Sequence, residues 1–348
     1  MTNSFLLNRV LLKFGDPDPK LAGNLSAVTT TPDGSLWLGS DEFISIERLQ
    51  PTDHCIYDQH QAVPVGDFVS LVDDESEIDI EGMDYADGYL WLVGSHSVKR
   101  KQPKGKKVKK DVQRLATITS DANRYLLARI PVVEGKLVKT AKSITAGALP
   151  PSQDKNPLMT ALAKDEHIAP FLTIPSKDNG LDIEGLAVAE DKVFLGLRGP
   201  VLRGWAIILE LELEENKLGT LSLKALDKDI YYRKHFVDLN GLGVRDLCFH
   251  NEDLLILAGP TMVLSGAMQI FRLKDAVEHG NDTIWSQDSD ALNVLFNLPL
   301  TMGCDFAEGI TLFSYLGEDN LLVVYDRPSV SRIPDEYAVF ADIFRLPT

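Results

Sequence analysis

Short runs of alternating apolar and polar residues recur along the chain, and they come in matched pairs. In DIEGLAVAEDKVFLGLRGP (182–200) one alternating run meets a Glu-Asp break and a second run follows. Two such runs around a break rich in Asp, Gly, Glu or Asn predict a β-hairpin. The phrase returns as NLSAVTTTPDGSLWLGSDE (24–42) and DIEGMDYADGYLWLVGSHS (79–97). It returns again as GVRDLCFHNEDLLILAGP (243–260) and DFAEGITLFSYLGEDNLLVVYDRP (305–328). Before each hairpin lies a further matching piece: VLLKFGDP, DFVSLVDD, FLTIPSKD, HFVDLNGL or LFNLPLTM. After them come longer apolar runs such as RYLLARIPV (124–132), AIILELELE (206–214), AMQIFRL (267–273) and AVFADIFRL (338–346).

The repeating unit therefore has four strands. Its reference positions Ser26, Glu81, Glu184, Arg245 and Glu308 lie 55, 103, 61 and 63 residues apart. Four-stranded units repeated radially predict an all-β fold, a β-propeller. Five blades are expected. The 103-residue gap leaves room for a degenerate sixth, or for insertions at about 98–120 and 143–175 within one domain spanning 1–348. A short helix is expected near 157–167, with Pro157 in its first turn. The N-terminal RVLLKF is expected to close the ring as the outermost strand of the last blade, which removes an open edge.

In a propeller the first strand of each blade lines a central channel. The connection entering that strand and the end of the second strand open on one face. Asp79 and Glu81, Asp182 and Glu184, Arg245 and Asp246, and Asp305 and Glu308 all fall at strand entries. Ser40, Asp41 and Glu42, then Ser95, His96 and Ser97, then Arg198, and Asp326 with Arg327, fall at the ends of second strands. Arg203 follows in LRGPVLRGWA. Polar groups from all five hairpins are expected at one mouth.

Up to six carboxylates in such a ring repel one another. They must be protonated, paired with arginine, or neutralised by a cation. Glu81, Glu184 and Glu308 are the expected ligands of Ca²⁺ or another divalent ion, which takes several oxygen donors. Asp79, Asp182, Arg203, Asp246, Asp305 and Arg327 are the expected ligand-binding residues. Each Asp can equally accept backbone amides of a neighbouring blade, and each Glu can pair with an Arg. His96, Arg198 and Arg245 are the candidate catalytic groups: His96 to move protons, the arginines to hold an anionic group by bidentate hydrogen bonds.

Charge narrows the partners. The chain has 35 basic and 51 acidic residues, a formal charge of −16. One segment runs the other way: VKRKQPKGKKVKK (98–110) holds eight basic residues. An acidic body disfavours nucleic acid, whose phosphates it repels. The basic run is expected to be a solvated loop, or a docking element at 99–110 for an acidic partner. No apolar run nears the roughly 20 residues of a membrane helix, and the N-terminus has no signal-peptide pattern. No membrane association is expected. Three scattered cysteines, Cys55, Cys248 and Cys304, favour a reducing compartment, hence a cytoplasmic protein. Walker, H-E-x-x-H, G-x-S-x-G and paired C-x-x-C motifs are absent.

DIEGM with GSHS, DIEGL with LGLRGPVLRGWA, GVRDL with LAGP, and AEGI together resemble a bacterial family known only as a domain of unknown function, number 3616. The resemblance spans nearly the whole chain and implies no reaction. More distantly, D-x-E-G at a propeller strand start looks like the esterase-like phytase and lactonase-type propellers, which place Glu and Asp on a channel calcium. Arg245 stands here where that pattern has a Glu. The resulting expectation is a metal-assisted hydrolase of a small anionic phosphoester or lactone. The alternative is a non-catalytic ligand-binding or scaffold propeller.

Overall fold

A computed structural model describes residues 5–15, 20–152, 155–217, 219–277 and 279–347. The chain is mostly β, built of propeller-like antiparallel sheets. Five consecutive units repeat one plan, in which an inner strand pairs with a second and the second with a third. The inner strands are Leu25–Thr30, Ile80–Ala86, Asp182–Ala189, Gly243–His250 and Phe306–Tyr315. Their partners are Leu36–Ser40, Tyr89–Gly94, Lys192–Gly199, Asp253–Gly259 and Glu318–Asp326.

The outermost strands differ most. In the first and fourth units they are Ile56–Pro64 and Leu292–Asn297. The third unit pairs Trp205–Lys217 with both Tyr232–Asp238 and Thr220–Leu223, and the second ends on the two residues Gly147–Ala148. The N-terminal strand Leu6–Lys13 pairs antiparallel with Ala338–Arg345, and through Leu11 and Leu12 it also runs parallel to Ile56 and Tyr57 of the first unit.

Alternation in the strands supplies two apolar faces, and facing sheets bury them. Apolar clusters lie between the first and second units (Trp37, Ile46, Leu90, Ile130), the second and third (Trp91, Leu127, Leu195, Ile207) and the third and fourth (Phe194, Ile208, Ile256, Phe271). Two more lie between the fourth and fifth (Leu257, Ile270, Val323, Phe344) and the fifth and first (Val10, Leu36, Leu322, Ile343). The inner strands touch in the same order, the fifth also touching the first.

Some expected strands are turns. DFVSLVDD at 67–74 is irregular because Asp73 accepts the Glu75 and Ser76 amides, and FLTIPSKD at 171–178 folds into short 3-10 turns around Pro175. The 103-residue gap holds the third and fourth strands of the second unit, two excursions and a helix. The helix is Pro157–Leu162, with Asn156 capping the Met159 amide. The basic run is not a bare loop. Lys99–Arg100 pairs with Ile118–Thr119, and the helix Val108–Leu115 lies between them. Arg100 ties this excursion to Asp178 at 2.7 Å. All three cysteines are unpaired, and no helix among the described residues is long and apolar enough to cross a membrane.

Candidate functional site

All five inner strands carry a β-bulge at the same place. The ladder skips one residue between Leu25 and Ala27, Ile80 and Gly82, Ile183 and Gly185, Val244 and Asp246, and Ala307 and Gly309. The skipped residues are Ser26, Glu81, Glu184, Arg245 and Glu308. A bulge leaves its extra residue unpaired in the ladder and re-aims its side chain. In the second, third and fifth units a glycine follows the bulge residue and answers a crowding problem. A Cβ on Gly82 would come within 2.8 Å of Leu186, and one on Gly185 within 2.8 Å of Leu247, so the neighbouring inner strands could not approach as they do.

The bulges bring Glu81, Glu184 and Glu308 to a cavity of about 380 Å³, which Asp41, Asp79, Asp182, Arg198, Asp326 and Arg327 also line. A second chamber of about 230 Å³ opens beside it and adds Arg245. Inside, a buried ion-pair chain crosses three units. Arg198 contacts Asp182, and meets Glu184 at 2.7 Å. Arg245 meets Glu184 at 3.0 Å and also contacts Glu308. On the opposite wall Arg124 meets Asp79 at 2.6 Å and Glu77 at 2.8 Å, and it donates to Ser97 at 3.0 Å.

Glu81 stands between these two groups without an ion pair or hydrogen bond among the described residues. Burial pushes its carboxyl well above the ordinary range, and Glu184, Asp79, Glu308 and Asp182 push it further. Around it, desolvation, Asp79 and Glu308 raise Asp41 to about 7, and desolvation and Glu308 raise Asp326 to about 6. Desolvation lifts Glu184 to about 8 against the pull of Arg198 and Arg245.

Four expected site residues lie elsewhere. His96 is enclosed, its Nδ1 donating to the Gly94 carbonyl at 2.7 Å and its Nε2 accepting from Asn156 at 2.8 Å. With a left-handed backbone (φ 54°) it meets the cap of the Pro157–Leu162 helix and lines neither chamber, and burial lowers its pKa to about 4. Asp246 is a clasp between sheets: its carboxylate accepts the Leu247 amide at 2.8 Å and, from the next unit, the Ile310 amide at 2.7 Å. Asp84 does the same for Val188 at 2.7 Å. Asp305 is held by Arg332 at 3.1 Å and by the Ser329 amide at 2.6 Å. Arg203 is exposed in the tight turn between Leu202 and Trp205.

Two chemical expectations change with this geometry. Arg198 and Arg245 are committed to Asp182, Glu184 and Glu308, so they are not free to grip an anion. Nor do the three glutamates fit a calcium site. A hard divalent ion needs several free oxygens, whereas those of Glu184 and Glu308 face guanidinium groups. Among the described residues no group of three or more His, Cys, Asp or Glu is arranged to hold a metal. Arg124 escaped the sequence reading because it opens an apolar run, RYLLARIPV, that reads as an outer strand. The polar pair Asn123-Arg124 ahead of that run was the only signal.

The family model "Protein of unknown function (DUF3616)" matches residues 24–342. No curated protein matches the chain. Among solved structures, the PQQ-bound aldose sugar dehydrogenase from Streptomyces coelicolor is 10% identical and covers 98% of this chain and 99% of its own, at a TM-score of 0.41. Virginiamycin B lyase from Staphylococcus aureus is 10% identical over 98% of this chain and 99% of its own, at 0.36. Kuenenia stuttgartiensis hydrazine synthase is 11% identical over 89% of this chain, which spans 57% of that longer one, at 0.35.

Proposed function

Since the chain belongs to the DUF3616 family, described only as proteins of unknown function, we propose its role from the mouth itself. The chain is a single-domain propeller of five blades in a closed ring, and its mouth binds a small organic cation such as an amine, amidine or guanidine. The ring is supported by the cyclic contacts of the inner strands and by apolar layers between every pair of neighbouring units, the fifth and first included.

One observation carries the ligand class: Glu81 makes no ion pair or hydrogen bond among the described residues, and the charges that act on it most strongly are four carboxylates, with Arg198 and Arg245 reaching it only from their own ion pairs. An uncompensated carboxylate in a desolvated cavity is relieved by a proton or by a positive group. An organic cation supplies N–H donors to one carboxylate without needing the several oxygens of a metal ion. A volume of about 380 Å³ suits a small molecule.

The test is isothermal titration calorimetry with methylguanidine, methylamine and acetate on the wild type and on Glu81→Gln at pH 7.5. The cations are expected to bind the wild type, with release of a proton seen as buffer-dependent heat, and to bind E81Q at least tenfold more weakly. Binding of acetate with no binding of either cation overturns the reading.

A second reading, ester hydrolysis without a metal, is favoured by the unlike settings of two neighbouring carboxyls. Glu81 has no ion pair among the described residues and Glu184 lies between two guanidinium groups, so Glu184 gives up its proton more readily than Glu81 and can accept one above pH 8. Turnover of phosphate and lactone esters that survives chelator and fails in E81Q supports it. Equal turnover in both proteins rejects it.

A further inference from the structure

The second chamber differs from the first. The apolar part of its wall is Pro260, Met262, Val263, Leu264, Met268 and Phe306, which come from the loop after the second strand of the fourth unit and from the start of the fifth. It is continuous with the main cavity through Arg198, Glu308, Asp326 and Arg327. The two loops that form it are tied where the Gly303 amide donates to Ser265 at 3.2 Å. Met262, Val263 and Leu264 are 48%, 69% and 61% exposed. Three consecutive exposed apolar side chains at the rim of a polar cavity need a partner.

Resting on the cation reading above, we infer that the ligand is amphiphilic: its positive end sits at Glu81 and its apolar body fills the chamber walled by Met262, Val263, Leu264, Met268 and Phe306. Two features of the wall select this occupant. Its charged lining is Lys177, Arg198, Arg245 and Arg327 with Glu308 and Asp326, and the three arginines are already paired, Arg198 with Asp182 and Glu184, Arg245 with Glu184 and Glu308, and Arg327 with Asp326, so a molecule anchored at Glu81 reaches this chamber best with an apolar group. Methionine is unbranched and adapts to varied apolar shapes, and two line this wall.

The experiment measures n-alkylamines from methylamine to hexylamine by calorimetry on the wild type and on the triple variant Met262→Ser, Val263→Ser, Leu264→Ser. These side chains are exposed, so the variant should keep its melting temperature. Affinity is expected to rise about threefold to fourfold per methylene in the wild type until the chamber fills, and to rise much less steeply in the variant. Equal binding of methylamine and hexylamine by the wild type overturns the chamber proposal and leaves the cation reading standing. Failure of every amine to bind removes the cation reading and this proposal with it. A wild type that is dimeric by light scattering, with a monomeric triple variant and a flat amine series, makes the patch a subunit interface and overturns the proposal.

Discussion

Glu81→Gln should stabilise the protein, and by an amount that depends on pH. The unfolded carboxyl titrates near 4.5, whereas in the fold desolvation and four like charges raise it well above that value. Between those two values the native state holds a proton that the unfolded state has released. Stability then falls as pH rises, by about 1.4 kcal/mol per pH unit. Glutamine keeps a similar shape and does not titrate, so it removes this one slope and leaves the others. At pH 4 the two proteins should differ little. Above pH 4.5 the variant should become progressively more stable than the wild type, at up to about 1.4 kcal/mol per pH unit until the folded carboxyl has lost its proton. The assay is urea unfolding of both proteins from pH 4 to 8 without ligand, reading the difference in unfolding free energy rather than either curve alone. Parallel curves would mean that Glu81 is compensated in solution, and the basis of the proposed site would be gone.

Three further outcomes follow from the geometry. Arg245→Met leaves Glu184 and Glu308 without their shared guanidinium, so Glu184, already near 8, is pushed higher; the variant should lose about 3–5 kcal/mol at pH 9 and clearly less at pH 6, measured by urea unfolding. Asp246→Ala strands the Leu247 and Ile310 amides inside the protein and should cost about 2–4 kcal/mol, with Asp246→Asn milder because it keeps one acceptor; a loss under about 1 kcal/mol would show that Asp246 is not a clasp. His96, with its folded pKa lowered to about 4, binds its proton less readily than the unfolded ring. Its contribution is therefore lost as pH falls from 6.5 towards 4, and His96→Ala should lose that dependence while binding cations within twofold of the wild type by calorimetry.

The architecture was legible because the repeats carry their signal locally. Alternation marks both hairpin strands, turn residues mark the break, and the bulged residue sits in a near-constant phrase. Which charges reach the mouth was legible for the same reason: Glu81, Glu184, Arg245 and Glu308 occupy one position of the repeat. What each charge meets was not legible, because the partners come from other units. Arg198 and Arg245 read as hands for an anion until Asp182, Glu184 and Glu308 are found against them. Asp246 and Asp305 follow the same entry pattern as Asp79, yet backbone amides distant in sequence take up their oxygens. His96 ends a second strand as Ser40 does, but its left-handed backbone and Asn156, sixty residues away, hold it outside the mouth.

Departures from the repeat account for the site better than the repeat itself does. Five identical glutamates at the bulges would repel one another equally, and no direction across the channel would be special. Here the fourth unit supplies Arg245, which lies against the bulge residues of both its neighbours, Glu184 and Glu308. The first unit supplies Ser26, which carries no charge and donates its hydroxyl to the Ile80 carbonyl. The remaining arginine of the mouth's second wall, Arg124, is drawn off to Asp79 and Glu77. Each substitution settles its own neighbourhood, and together they leave Glu81, like Asp41 beside it in the cavity, without an ion pair among the described residues. A repeating scaffold becomes asymmetric this way, with a carboxylate that has no ion pair in one cavity and a partly apolar chamber continuous with it. Such an asymmetry can orient a bound molecule, which a symmetric ring of like charges cannot do.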